Sequence, residues 1–469
     1  MRPPLVAQEH DTDTQRTLKA ARPLTRAIMP KTVLHAWLLP HIPRSLMRSR
    51  AIIIFASSVV QRLSVMALTI LASRMLGSDE FGRFAIIYAT CINLTLFVGD
   101  GLAATANRYM PLLAEQEPEA LRKTVGNIIS AAVAVAVLLA AAVAVSAPVL
   151  NRVMSRAIDL QALIHISSFI VLGLIPNTVM NAVLHSVGMS KAAALAALLT
   201  ALTVLGGGLW GASIGGAYGM CVGFLGGTLI GTAFYAGLVF RRFGFGVLSP
   251  TLAAGFVKSE MFSKFAVPTV ATMAMGGPVH WYCLSILSSS PAGLHGVAVF
   301  SAFFQWYSLV TFLPAALNNF TIPWLAAHSG TDAFRKKALL IIGVNVAIAL
   351  CLLLFAYIGQ DYVVGLYGPD FAGGGNVLVL LAACGVFAVL AAVMNQVAWA
   401  GGRSWRNLVV VLVYSSLYVL GAFVFVKLYD LGAAGLAWAI LGAGIVQGII
   451  QIVLVFGPDR RADSRAVTP

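Results

Sequence analysis

Twelve apolar runs of about 20 residues constrain this chain more than any other feature of its sequence. A helix needs a run of that length to cross the roughly 30 Å hydrocarbon core of a bilayer. The runs cover 50–73, 84–107, 123–147, 161–185, 191–211 and 216–240, then 263–288, 297–321, 335–358, 376–399, 407–427 and 433–456. Charged residues make up only 10% of the chain, against about 25% in soluble domains, which excludes a soluble globular fold. We predict an all-α integral membrane protein with twelve transmembrane helices.

The basic residues predict the orientation of these helices. Cytoplasmic loops of membrane proteins are enriched in Lys and Arg. With the N-terminus placed inside, nearly all of the 31 Lys and Arg residues fall in inner loops and tails. The outer loops hold only Arg74, Arg83, Arg152, Arg156 and Lys427. Both termini are therefore predicted to be cytoplasmic, and the net charge of +14 is explained without a nucleic-acid partner.

The two halves of the chain repeat one unit. A shift of 214 residues aligns Gly82 with Gly296 and Asn181 with Asn395, and two more residues align "GGAYG" with "LGAAG" before the sixth run of each half. Six spans per unit keep both copies in the same orientation, and transporters built from such repeats bind substrate between them. The predicted parts are a basic cytoplasmic tail (1–48), a first six-helix lobe (49–240), a cytoplasmic linker (241–262), a second six-helix lobe (263–456) and a cytoplasmic tail (457–469), with a central cleft between the lobes.

Arg62 lies inside the first apolar run. It follows Arg50 by twelve residues, or about 18 Å of helix, which places it near the middle of the bilayer. A central arginine costs about 2.5–3.5 kcal/mol on insertion scales, so it should face a wet cavity or a partner acid. We predict that Arg62 contributes to a substrate-binding cavity. The alternative is a structural arginine that binds helix carbonyls.

Other polar residues within the runs are candidates for the same cavity. His280 lies one turn from Gly276, the repeat equivalent of Arg62, while Asn93 and Asp100 share one face of the second run. Amide and aromatic side chains together suit sugars, because amides bind hydroxyls and flat rings cover pyranose faces. The predicted substrate-binding residues are Arg62, His280, Gln305, Asn319 and Asn93.

Asp100 is the one acid placed deep within a run, and it is the candidate for ion coupling. It could instead pair with Arg62 or cap a helix near the cytoplasmic end. The other candidates also have simpler interpretations, since His280 suits a packed histidine and buried amides often link helices.

Enzyme and metal motifs are not found in the sequence. There are no paired carboxylates at a membrane face, no HExxH, no GxSxG and no nucleotide-binding loop. The five cysteines lie in apolar runs without CxxC spacing and are interpreted as free thiols. We therefore expect a protein that is not an enzyme and has neither a cofactor nor a metal site.

The stretch "LASRMLGSDEFGRFAIIYATCINLTLFVGDGLAATANRYMPLLAE" resembles the first-to-second helix signature of the polysaccharide transporter family. That family belongs to the multidrug, oligosaccharidyl-lipid and polysaccharide exporter superfamily. "LYGPDFAGGGNVLVLLA" and "LPAALNNFTIPWLA" also fit it, and the resemblance covers residues 50 to 456. Twelve spans suit the repeat-unit flippases of the family, whereas lipid II flippases usually carry fourteen. The long basic tail departs from the family pattern.

The resemblance implies a flippase of the bacterial inner membrane. Its substrate would be an undecaprenyl-pyrophosphate-linked oligosaccharide, whose head enters a cleft between the lobes while the lipid tail stays among membrane lipids. Cationic cavity residues of the family are thought to hold the pyrophosphate or acidic sugars, which suits Arg62. Coupling to H⁺ or Na⁺ is proposed for the family, with Asp100 or His280 as candidates here.

The resemblance leaves room for association with other polysaccharide-assembly membrane proteins. Two other functions stay open at this point. One is a multidrug or cation antiporter of the same superfamily, and the other is a membrane-embedded glycan polymerase.

Overall fold

The computed structural model describes residues 44–114, 118–154, 159–248, 276–326, 333–400 and 404–456. Residues 1–51 and 52–469 form two separate units, and of the first unit only the helical residues 44–51 are described. Most of the predicted N-terminal tail (1–43), the predicted C-terminal tail and most of the predicted linker 241–262 lie outside the described residues. Everything below concerns the second unit, in which we call residues 52–248 the N-terminal half and residues 276–456 the C-terminal half.

The described chain is helical apart from short turns, as the apolar runs predict. The helices are α1 (Arg44–Ala114), α2 (Pro118–Met154), α3 (Gln161–Ser186), α4 (Ser190–Phe243), α5 (Gly277–Ser288), α6 (Gly293–Ala326), α7 (Ala333–Ile358), α8 (Gln360–Tyr367), α9 (Gly375–Ala400), α10 (Ser404–Ala422) and α11 (Gly432–Phe456). Two 3₁₀ turns (Phe245–Val247 and Pro369–Phe371) and a π-helical turn (Phe423–Leu428) complete them. The predicted all-α architecture is confirmed for the described residues.

Nine helical stretches among the described residues are long and apolar enough to cross a bilayer. Two of them are of double length, with 59 residues in Ile53–Pro111 and 54 in Ser190–Phe243. The first is broken at Gly77 (φ 73°) and the second at Gly216 (φ 58°), where glycine adopts a backbone that other residues rarely reach. The predicted run 263–288 is described only from residue 276, so the count of twelve spans stays a prediction.

The two arms of α4 pack against each other along a row of glycines. A methyl group on Gly211 would overlap the carbonyl oxygen of Gly219, and one on Gly207 would lie 2.6 Å from the carbonyl oxygen of Gly223. Small residues of this kind let helix backbones approach closely within a membrane. The opposed positions show that the chain reverses direction at Gly216 and returns alongside itself.

Positions that the sequence repeat aligns have similar structures. Gly216 and Gly432 both have positive φ, at 58° and 52°. In the N-terminal half the Tyr235 hydroxyl donates to Asn181 Oδ1 at 3.3 Å. In the C-terminal half Gln451 Nε2 donates to Asn395 Oδ1 at 2.6 Å, at the equivalent place. Helices α2, α3 and α4 pack together in one half, and α6, α9, α10 and α11 in the other.

Candidate functional site

A cavity of about 430 Å³ lies where the two halves meet. Arg62, Tyr88 and Asn93 of α1 line it from the N-terminal half. The C-terminal half contributes residues from α5, α6, α10 and α11, among them His280, Phe304, Gln305, Tyr307, Tyr414 and Tyr418. Four of the five predicted substrate-binding residues therefore line one cavity, namely Arg62, Asn93, His280 and Gln305. Their role in binding stays a prediction.

Arg62 is the one formally charged side chain among the described residues that line the cavity. Its guanidinium carbon lies 5.8 Å from the centre of the Phe312 ring of α6, in the opposite half. The ion pair seen among the described residues joins Arg83 to Glu80 and does not involve Arg62. Within the described part of the chain no carbonyl oxygen accepts a hydrogen bond from Arg62 either. The half-buried guanidinium thus lies against an aromatic ring and has no acidic partner among the described residues, which is an arrangement suited to an anion.

Aromatic rings form the wall of the cavity in the C-terminal half. The His280 ring stacks on Phe304 at 4.8 Å between centroids, and Phe304 stacks on Tyr307 at 4.7 Å. Tyr414 and Tyr418 follow on α10 with their centroids 6.1 Å apart. Flat faces of this kind cover the apolar surface of a ring, while the phenol hydroxyls provide polar groups at the edge.

His280 is both a cavity residue and a packed histidine. Its Nδ1 lies 3.0 Å from the Tyr418 hydroxyl, so one ring nitrogen is engaged with the neighbouring helix. This contact fits the simpler interpretation of His280 as a residue that links helices. It also fixes the ring orientation, which keeps the imidazole stacked on Phe304.

The side-chain amides of Asn93 and Gln305 differ in which of their polar atoms are available to a ligand. Asn93 Nδ2 donates to the Ala89 carbonyl at 2.8 Å, so its side-chain oxygen is the group left for a ligand. The Asn93 backbone also lies against Gly277, where an added methyl would meet the Asn93 carbonyl oxygen at 2.9 Å. Gln305 is half-buried at the cavity and has no hydrogen-bond partner within the described segments.

The structure does not place two other predicted residues, Asn319 and Asp100, at the cavity, for different reasons. The Asn319 side chain lies outside the described residues, although its backbone belongs to α6. Asp100 is not among the residues that line the cavity, and the structure, which describes both side chains, has no ion pair between Asp100 and Arg62. The pairing of these two residues, one of the sequence alternatives, is therefore absent. No cluster of His, Cys, Asp or Glu suited to a metal is present in the described ranges.

Sequence reasoning missed most of the aromatic wall. Tyr414 and Tyr418 are four residues apart and so lie on one face of α10, which is a signal that the sequence contains. Tyr88 carries no such signal because apolar and aromatic residues surround it throughout its run. Aromatic residues make up 10% of the chain, and only the structure distinguishes those at the cavity from those in the core.

No protein-family model matches the sequence. A relative is the EPS I polysaccharide export inner membrane protein EpsE of Ralstonia nicotianae, which is 38% identical over 182 residues. The match covers 37% of this chain and 41% of that protein, so it spans less than half the length of either.

Solved structures match over most of the chain. The inward-facing conformation of a multidrug resistance MATE family transporter of the MOP superfamily has a TM-score of 0.67 at 16% identity, over 89% of this chain and 100% of that one. The lipid II flippase MurJ in an inward closed conformation has a TM-score of 0.71 at 13% identity, over 86% of this chain and 87% of that one. The fold is that of the MOP superfamily. Together with the export protein above, this confirms the resemblance to the polysaccharide transporters of that superfamily.

The MOP fold of this chain is closed at the end that carries Gly77. There the Ser73 hydroxyl donates to the Tyr367 carbonyl at 3.1 Å, and the Ser78 backbone N–H donates to Asp370 Oδ2 at 3.0 Å. The Phe81 ring meets Phe371 edge-on at 6.1 Å. Each of these contacts joins α1 to the segment around α8, and thus one half to the other. We call this region the Gly77 end, which the distribution of basic residues predicts to be the outer one.

Proposed function

We propose that this chain is a flippase that moves an undecaprenyl-pyrophosphate-linked oligosaccharide repeat unit across the bacterial inner membrane for surface polysaccharide assembly. Its twelve helices form two six-helix lobes, and the lobes rock between inward-open and outward-open states. Both termini lie in the cytoplasm. Transport draws on an H⁺ or Na⁺ gradient, with Asp100 or His280 as the coupling residue.

The charge of Arg62 in the central cavity, which no described acid neutralises, carries this proposal. An anionic pyrophosphate or acidic sugar that enters a membrane cavity loses hydration, and a cation without a partner compensates for that loss. The aromatic wall and the amides of Asn93 and Gln305 supply the contacts that neutral parts of an oligosaccharide need. The cavity therefore has a cation for the anionic group of a glycan head and aromatic and amide groups for its neutral sugars.

The relatives support the same cargo. The export protein named above is described as an inner membrane protein of polysaccharide export, and MurJ is described as a flippase of lipid II. Both descriptions fit lipid-linked glycans and membrane lipids as the molecules that this fold handles. The contacts at the Gly77 end correspond to a state closed on the predicted outer side, in which a cargo head would enter from the cytoplasm.

A multidrug or cation antiporter is the second candidate, because the aromatic wall would also bind a cationic amphiphile through cation–π contacts. The charge in the cavity opposes this alternative. A cationic drug would lie near Arg62 with no acid among the described lining residues to offset the repulsion.

Deletion of the gene distinguishes the flippase function from the antiporter function. The flippase proposal expects lipid-linked oligosaccharide to accumulate on the cytoplasmic leaflet, with loss of surface polysaccharide and unchanged resistance to cationic dyes. Extraction and mass analysis of polyprenyl-linked glycans measures the first effect, and dye-resistance assays measure the last. Normal levels of lipid-linked glycan together with a gain in dye sensitivity would support the antiporter instead.

A further inference from the structure

A second cavity of about 230 Å³ adjoins the central one and lies within the C-terminal half. The two cavities share Tyr307 and Tyr414 as lining residues. Beyond that boundary the second cavity is lined by α9, α10 and α11, which present the polar side chains of Asn395, Ser415 and Gln447. We call this second cavity the side pocket.

Several polar groups that line the side pocket have no hydrogen-bond partner among the described residues. Gln447 is only 8% exposed, yet no described residue forms a hydrogen bond with its amide. The hydroxyls of Tyr307 and Tyr414 are likewise unpaired among the described residues. Asn395 accepts a bond from Gln451 through Oδ1, which leaves its NH₂ group as a donor. These groups line the side pocket and are therefore available to hydrogen-bond a polar ligand.

The side pocket has no formally charged residue among its described lining. Its lining residues in the described chain include no Lys, Arg, Asp, Glu or His. A charged ligand group there would lose its hydration without compensation. Amide and phenol groups instead match the hydroxyls of a neutral, hydroxyl-rich ligand, and the tyrosine rings offer a flat face to it.

At three positions that line the side pocket, the N-terminal half has a larger side chain. At the positions that the repeat aligns, Leu174, Phe224 and Thr228 stand where the C-terminal half has Ala388, Ile440 and Gly444. Phe224 is buried at 4% exposure and packs edge-on against the rings of Phe84 and Tyr88, at 6.2 and 5.6 Å. At these three positions the smaller residue of the two copies lines the side pocket.

We propose that the side pocket binds one neutral sugar ring of the cargo while Arg62 holds the anionic group in the adjoining central cavity. The identity of the cargo as a lipid-linked oligosaccharide is taken from the function proposed above. The volume of the side pocket suits a single ring, and its amides contact ring hydroxyls directly. It therefore selects among cargos by the hydroxyl pattern of one neutral sugar.

The test uses the purified full-length chain in detergent with two kinds of probe. Neutral methyl pyranosides, such as methyl glucoside, methyl galactoside and methyl N-acetylglucosaminide, probe the side pocket, and inorganic pyrophosphate probes Arg62. Gln447→Met removes the amide at similar volume, and Gly444→Thr introduces the residue of the other half. Gly442→Thr is the matched control, because it makes the same change on the same helix where an added Cβ meets nothing within 4 Å.

We expect at least one methyl pyranoside to bind the wild-type chain, with its Kd raised about tenfold by Gln447→Met and by Gly444→Thr and unchanged in Gly442→Thr. Pyrophosphate should bind all three variants as it binds the wild type. The side pocket proposal is overturned if no neutral pyranoside binds the wild type, or if neither pocket variant weakens the binding. If the pyranosides respond as expected but pyrophosphate does not bind, the anionic cargo proposed above fails while the side pocket stands.

Discussion

The carboxylate of Asp370 caps a helix that belongs to the other half of the protein. Its Oδ2 accepts a hydrogen bond of 3.0 Å from the backbone N–H of Ser78, the first residue of the α1 arm that follows the break at Gly77. An acid at this position satisfies a free N–H group and interacts favourably with the helix dipole. The cap exists only while the two halves are in contact at the Gly77 end, so it stabilises that closed state.

Replacement of Asp370 by Ala should therefore loosen the Gly77 end. Loss of a helix cap costs about 0.5–2 kcal/mol, which raises the relative population of the open state by roughly 2- to 30-fold. A cysteine introduced at Ala72, a residue 0% exposed, reports opening through its rate of thiol modification in a background that carries Cys351→Ser. The control is Asp361→Ala, which removes an exposed acid of α8 that forms no hydrogen bond or ion pair with the described residues. Equal modification rates in the two variants would show that the cap has no part in closure.

The glycine row of α4 should be sensitive to any added side chain. Gly211→Val forces a side chain into the backbone of the returning arm at Gly219, and overpacking of this kind costs about 1–3 kcal/mol or more. The thermal unfolding midpoint of the purified protein should fall. Gly206→Val is the matched control, since an added Cβ there meets nothing within 4 Å, and its midpoint should match that of the wild type. A similar midpoint for Gly211→Val would contradict the close approach of the two arms.

Asp100 offers a test of ion coupling that does not depend on cargo binding. Asp100→Asn keeps the size of the side chain and removes its charge and its proton. If Asp100 couples transport to a proton gradient, the variant should export polysaccharide at a rate that no longer responds to the pH difference across the membrane. Asp79→Asn, at an exposed acid near the Gly77 end, should retain the response. A gradient dependence that is the same in both variants and the wild type would exclude Asp100 from coupling.

Much of the fold follows from the sequence because the membrane restricts what the chain can do. Apolar runs of bilayer length leave the helix as the available structure, and Gly77 and Gly216 turn the chain where the runs end. The positions of Arg62 and His280 at one cavity agree with the repeat, which aligns their helices across the two halves.

The sequence did not predict which residues of different helices contact each other. Spacing along one helix shows which residues share a face, but it does not show which face a neighbouring helix presents. For this reason the sequence predicted neither the contact of Arg62 with Phe312 nor the hydrogen bond between His280 and Tyr418. The side pocket is lined by residues of α9, α10 and α11, and the sequence does not show that these faces meet around a cavity.

The central claim is that Arg62 binds the anionic head of a lipid-linked glycan. The most direct measurement is the rate at which the purified chain, reconstituted in vesicles, moves a fluorescent undecaprenyl-pyrophosphate-linked oligosaccharide between leaflets. We expect wild-type rates for Arg152→Ala, which removes an exposed arginine at the end of α2, and partial activity for Arg62→Lys, which keeps the charge but loses the planar fork. Arg62→Gln should abolish movement while the protein still inserts and unfolds at the wild-type temperature. Wild-type rates for a well-folded Arg62→Gln would contradict the account.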